Sequence, residues 1–198
     1  IAMMGLHPCS VKDNVQQELD IVEAQLKKRK FIAIGEIGLD YYWDKTFIQQ
    51  QIEAFTIQMQ WALEKQLPIV IHTRNAMGET IEAVKPFAKK GLRGIFHCFS
   101  GSQESAQQII SMGFHLGLGG VLTYKNAKVA EAIKEIPMSH LVLETDAPYL
   151  SPVPYRGKTN EPAFMIEVAK KLAEIKNIPL QEVAAITTNN AKEVFGIE

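Results

Sequence analysis

Hydrophobic and polar positions along this chain alternate on two length scales. Short runs rich in Ile, Val, Leu and Phe lie at Ile1 to Leu6, Phe31 to Gly35, Leu67 to Ile71, Arg93 to Phe96, Phe114 to Gly117 and Leu141 to Glu144. They lack internal polar alternation, as strands buried on both faces do. Longer amphipathic stretches separate them and predict helices at Asn14 to Arg29, Thr46 to Lys65, Met77 to Lys90, Gln103 to Met112 and Asn126 to Ile136. Two more, Glu161 to Lys176 and Leu180 to Val194, close the chain, with Asn160 as a plausible cap and Pro162 in the first turn. Repeated βα units imply a parallel sheet with right-handed crossovers. The six predicted strands fall short of the eight strands and roughly 250 residues of a closed barrel. A doubly wound open sheet fits the alternation as well.

Composition narrows the class. With 198 residues, 46% hydrophobic and 22% charged, the chain can bury a core and is expected to form one domain over residues 1–198. No apolar run reaches the roughly 18 residues of a membrane span, so no membrane association is expected. The opening IAMMGLHPCS has no basic region and looks like a buried strand, not a signal peptide. Two cysteines, Cys9 and Cys98, are too few for a disulfide framework and favour a cytoplasmic setting. The net charge of −1 excludes a protein that wraps duplex DNA through a basic face. A nucleic-acid substrate would have to be held locally, which favours short ends or single strands.

The ionisable residues decide between barrel and open sheet. His7 follows the first predicted strand, Glu36 the second, His72 the third, His97 the fourth and Asp146 the sixth. Side chains converge at the C-terminal ends of strands in a βα barrel. A single histidine there is often structural, but Glu, His, His and Asp in register form a nitrogen and oxygen ligand set suited to Zn²⁺, Mn²⁺ or another divalent ion.

At this point the motifs resemble a known family. GLHP at Gly5, GEIGLDYY at Gly35, PIVIHTR at Pro68, FHCFSG at Phe96, ETDAPYL at Glu144 and PYRGKTNEP at Pro154 closely resemble the TatD deoxyribonucleases, in order and along the whole chain. The resemblance implies a TIM-type (β/α) barrel of the metal-dependent hydrolase superfamily, and a two-metal hydrolase of phosphodiester bonds in DNA. Carried over by position, Glu36 would be the carboxylate shared by both metals. His72 and His97 would complete one metal, and Asp146 would bind the other and orient the attacking water. Two cations a few ångströms apart stabilise both attacking and leaving oxygens. The metals implied are Zn, Mg or Mn.

The sequence departs from the family in two places. Cys9 stands where a second histidine is common. The His-x-His of the family's first strand, which supplies two ligands to the metal that Asp146 binds, occurs nowhere in this chain. The resemblance therefore implies a barrel lacking its first one or two βα units, roughly 50 to 60 residues at barrel spacing, and a chain of impaired activity as it stands. A degenerate paralogue is the competing explanation, against which the intact Glu36, His72, His97 and Asp146 speak.

Other residues have a functional and a bland reading. Arg74 can reach a substrate phosphate or form a surface ion pair. Arg156, beside Gly157, suits bidentate phosphate contact or an ion pair with Glu161. The Phe99 to Gly101 loop, with Ser100, could offer backbone N–H groups to a phosphate, or be a plain turn with Ser100 or Ser102 as cap. Tyr41 and Tyr42 could stack on a base or pack in their loop. His7 is read as contacting substrate or supporting a ligand, and Glu144 as orienting a ligand from two residues before Asp146. His115 and His140 read as structural, Cys98 as a packing residue, and Lys27 to Lys30 as a solvated helix end.

The leading expectation is a metal-dependent DNase acting on single strands or 3′ ends, with no obligate protein partner. Two alternatives are a metal-dependent ester or amide hydrolase, such as an aminoacyl-tRNA deacylase, and a non-catalytic metal-binding scaffold. Fold alone does not decide among substrates.

Overall fold

A computed structural model describes residues 1–197 of the chain. Its contacts cluster in two compact units, Ile1–Phe96 with Val194–Gly196, and His97–Glu193 with Ile197.

In the first unit, α1 (Val15–Lys28) precedes β1 (Ile34–Asp40), α2 (Ile48–Lys65), β2 (Ile69–Arg74), α3 (Met77–Ala88) and β3 (Gly94–Phe96). β1 pairs with β2 and β2 with β3, all parallel. Ile34, Ile37, Leu39, Ile69, Ile71 and Phe96 are almost wholly buried, and Phe55 and Met59 of α2 are buried with them. Gly38 sits opposite His72, and a Cβ there would come within 1.9 Å of the His72 carbonyl oxygen. With φ of 145° it also has a conformation that side chains disfavour. Only glycine lets the strands meet at that register.

The predicted strand Ile1 to Leu6 is not formed; this segment makes one isolated parallel bridge, Met4 to Ile34. The reason is a side chain of α2. The N–H of Leu6 donates to Gln58 Oε1 (2.6 Å), and Gln58 Nε2 donates back to the Leu6 carbonyl (3.2 Å), so a buried side chain of α2 takes the groups a ladder would use. Pro8 then opens a 3₁₀ turn, Pro8–Ser10. The second predicted strand is displaced from Phe31–Gly35 to Ile34–Asp40. Glu36, expected to follow the strand, lies within β1, as does Asp40. His72 likewise lies inside β2, not beyond it.

The second unit holds α4 (Gln103–Ser111), β4 (His115–Leu118), α5 (Val129–Ile133), β5 (Leu141–Leu143), α6 (Met165–Lys176) and α7 (Leu180–Phe195). β4 and β5 are parallel, Leu116 opposite Leu141. Leu116, Leu118, Leu141, Ile109, Phe114 and Leu172 fill the core. The helix expected over Asn126 to Ile136 shortens to α5. Lys176 Nζ donates to the carbonyls of Ile133 (2.6 Å), Lys134 (2.8 Å) and Ile136 (2.5 Å), so a cation from α6 caps its end. The helix expected from Glu161 begins with a 3₁₀ turn, Pro162–Phe164, and Asn160 caps neither segment.

His115 and His140 lie 5.7 Å apart between ring centroids, and the Nδ1 of each is buried without a hydrogen-bond partner. Burial, and then the neighbouring His140, hold the His115 pKa below its ordinary 6.5, with Glu193 acting weakly the other way. The unfolded chain therefore takes up this proton first as pH falls below 6.5, and stability is lost down through the lowered folded pKa. Thermal melts should show the melting temperature dropping from pH 7 to pH 5, with a shallower drop in His115→Leu. An unchanged slope in that variant would assign the dependence to other groups. Among the described residues no helix is long and apolar enough to cross a membrane.

Candidate metal and substrate residues

β1 and β2 place their polar residues on one side. Successive side chains alternate across a strand, so Glu36 and Asp40 share a face of β1, and His72 and Arg74 share a face of β2. Register pairs Gly38 with His72 and Asp40 with Arg74. A Glu36 carboxylate oxygen and a His72 ring nitrogen lie within 4.8 Å of each other. His7, ahead of the 3₁₀ turn, joins them: its Nε2 is 3.7 Å from Glu36 Oε2, and its ring centroid is 4.5 Å from that of His72. The N–H of Cys9 donates to His7 Nδ1 (3.1 Å) and sets that ring's orientation.

Asp40, which the sequence did not single out, organises this group. It is 1% exposed. Its Oδ2 accepts from His72 Nε2 (2.8 Å) and from the Cys9 thiol (3.4 Å). Its Oδ1 accepts the N–H groups of Tyr42 (2.9 Å) and Trp43 (3.1 Å). Gln51 of α2 holds the Asp40 backbone from both ends, accepting its N–H at 2.9 Å and donating to its carbonyl at 3.1 Å. Burial alone would raise the Asp40 pKa, but the hydrogen bonds from His72, Tyr42, Trp43 and Cys9 outweigh it and hold the carboxyl below its ordinary value. An ionised Asp40 fixes the proton of His72 on Nε2, so that Nδ1 carries none. Cys9 is the converse case. Burial, and then the Asp40 charge, push its thiol up to about 11, so it is no nucleophile near neutral pH.

Arg74 makes a ring contact instead of the surface ion pair considered for it. Its guanidinium carbon lies 3.8 Å from the Tyr42 ring centroid and 5.2 Å from that of Trp43. Tyr41 is half-buried, its hydroxyl pKa raised by burial and then by the Glu79 charge. The exposed aromatics of this loop are Tyr42 and Trp43.

In the second unit, His97 directly follows β3, and its Nδ1 is 3.0 Å from Glu144 Oε1. The same oxygen accepts the Cys98 N–H at 2.9 Å. Glu144 thus orients His97 through Nδ1. The gap it occupies depends on Gly117, where a Cβ would fall 2.2 Å from Glu144 Oε2. Asp146 lies three residues beyond β5 with φ of 54°, a left-handed conformation uncommon outside glycine. Asn160 stabilises that turn: its Nδ2 donates to the carbonyls of Thr145 (2.6 Å) and Tyr149 (2.7 Å). The residue expected to cap a helix instead ties down the loop carrying Asp146.

Arg156 is exposed and pairs with Tyr124, not with Glu161. Its Nη1 donates to the Tyr124 hydroxyl (2.6 Å), with the guanidinium carbon 4.0 Å from the ring centroid. Ser102 caps α4 by accepting the Ser105 N–H, and Ser100 is exposed in the preceding loop. Asp40 was legible only as a member of GEIGLDYY, and Trp43 as the residue that follows it. The available signal was a carboxylate at the end of an apolar strand, which is tolerated in a core only with partners.

The donor atoms present, two imidazole nitrogens with fixed tautomers and carboxylate oxygens, fit borderline and hard divalent cations. Comparison with known proteins agrees with this chemistry. A family model described as TatD related DNase matches residues 1–196. The metal-dependent hydrolase YabD of Bacillus subtilis (strain 168) is 43% identical over 197 residues, covering 99% of this chain and 77% of that protein. The crystal structure of YJJV, a TatD homologue of Escherichia coli K12, aligns with a TM-score of 0.85 at 29% identity, covering 100% of this chain and 77% of that one. A TatD family hydrolase of Entamoeba histolytica aligns with a TM-score of 0.78 at 25% identity, covering 98% of this chain and 74% of that one. The α/β fold with parallel strands expected from the alternation matches these TIM-barrel homologues.

Proposed function

Because the chain belongs to the TatD related DNase family, as a metal-dependent hydrolase, we propose that it cleaves phosphodiester bonds of DNA, at 3′ ends or in single strands, with two divalent metal ions. The observation that carries this reading is the pairing of Glu36 with a His72 whose tautomer is locked by a buried Asp40. A metal-ligating histidine almost always donates its other ring N–H to a carboxylate, a carbonyl or a water.

Glu36 and His72 would hold one cation together with His97, which Glu144 orients. Asp146, matched to the family motif ETDAPYL, would hold the second with the shared Glu36. Such ions supply Lewis acidity toward a phosphoryl oxygen and make water a usable nucleophile near neutral pH. Arg74 and Arg156 would meet phosphate oxygens, with Ser100 and His7 as further substrate contacts. The free thiols of Cys9 and Cys98 suit a reducing, cytoplasmic compartment.

The test is trimming of a 3′-labelled single-stranded oligonucleotide in Mg²⁺ or Mn²⁺, beside aryl ester substrates. Slow label release that EDTA abolishes, with ester turnover slower still, is the expected result. Turnover resistant to EDTA would refute the metal mechanism. Esters hydrolysed while the strand stays intact would refute the nuclease.

A further inference from the structure

Trp43 keeps 68% of its surface exposed and Tyr42 49%, on the loop directly after β1. Their rings stand edge to face, with centroids 4.9 Å apart at 86°. Arg74 covers one face of Tyr42 at 3.8 Å. The backbone N–H groups of Tyr42 and Trp43 both donate to Asp40 Oδ1, and the other oxygen of that carboxylate holds His72. The loop is therefore fixed to the same anchor as a candidate metal ligand. Arg74 lies two residues beyond His72 on β2 and on the same face, about 7 Å along the strand.

We propose that Trp43, with Tyr42 and Arg74, forms a stacking subsite for an unpaired nucleobase beside the scissile phosphate. This rests on the phosphodiesterase reading above and names the part of the substrate that binds. Every base presents a π-face, so stacking on an indole holds a strand without reading its sequence. A base inside a duplex has both faces covered by its neighbours, so only unpaired or terminal bases can use the platform. Arg74 adds a guanidinium at the edge of the stack, where the backbone phosphate of that nucleotide runs. The overall charge supports the same choice. With a net charge of −1, the chain lacks the overall basic excess on which phosphate-driven affinity rests, so stacking adds to the local phosphate contacts of its arginines. Asp40 then has a second effect, since the base on Trp43 is held at a fixed distance from His72.

The experiment is fluorescence anisotropy with a labelled oligothymidylate and the same strand carrying abasic residues, both in EDTA so that neither is cut. The native protein should bind the intact strand about tenfold more tightly than the abasic one, within the range typical of one base stacked on an aromatic ring. Trp43→Ala should lose that preference while its melting temperature stays unchanged, and Trp43→Phe should keep part of it. Equal affinity of the native protein for both strands, an undiminished preference in Trp43→Ala, or no measurable binding of the intact strand would each overturn the subsite. Trimming in Mg²⁺ separates the two readings. Cleavage without base preference would sink the subsite and leave the nuclease standing. Base preference without cleavage would support the subsite and sink the nuclease.

Discussion

Replacing Glu36 by alanine is expected to lower oligonucleotide hydrolysis by at least about a thousandfold. Its carboxylate is within metal-ligand reach of His72 and 3.7 Å from His7. If it is shared by two cations, its loss disturbs both. Charge stabilisation by metal ions is worth several kcal/mol in the transition state, and each 1.4 kcal/mol is about tenfold in rate. Folding should be spared, because the Glu36 side chain is 28% exposed. The check is kcat on a labelled strand together with metal content by elemental analysis. Retained activity with metal still bound would overturn the shared-ligand assignment.

Asp40 should give two different phenotypes depending on the replacement. Asp40→Ala leaves the Tyr42 and Trp43 N–H groups, His72 Nε2 and the Cys9 thiol without their acceptor in a buried position. Such a loss costs about 3 kcal/mol, a fall of roughly 6 to 12 °C in melting temperature for a chain of this size. Asp40→Asn keeps a carbonyl oxygen for the two loop N–H groups, so most of that stability remains. Its amide N–H must then face His72. The ring answers by moving its proton to Nδ1, which carries none in the native protein. Metal affinity and turnover should drop about 10- to 100-fold, the usual effect of losing a ligand's supporting carboxylate. Melting curves and metal titration of the two variants separate stability from function. An asparagine variant with native metal affinity would show that Asp40 supports the loop alone.

Much of the site could be read directly from the sequence. The strings around Glu36, His72, His97 and Asp146 each place a ligand-type side chain at or beside an apolar run, and the family model bears out the reading of the chain as a metal-dependent hydrolase. Glu144 was legible as a supporting residue because two residues along an extended strand return to the same side. The structure gives it His97 at 3.0 Å. Asn160 shows the limit of such local rules. Next to Glu161 and Pro162 it reads as a helix cap, yet its amide spans 15 residues of sequence to the Thr145 carbonyl.

The periodicity of apolar positions by itself determined the succession of strands and helices, because burial of one face or both imposes a period that needs no knowledge of partners. It also determined the ligand types, since their chemistry belongs to each side chain alone. Tertiary structure decided where β1 begins and ends, because Glu36 and Asp40 are tolerated in a strand only through partners on β2 and in the loop beyond. It also decided that Ile1 to Leu6 forms no strand, through Gln58, 52 residues away from Leu6. Asp40 reaches His72 across 32 residues. That contact depends on strand register, and a slip of one residue would turn His72 to the opposite face. Register is set by the packing of whole elements, so no window of sequence around either residue contains it.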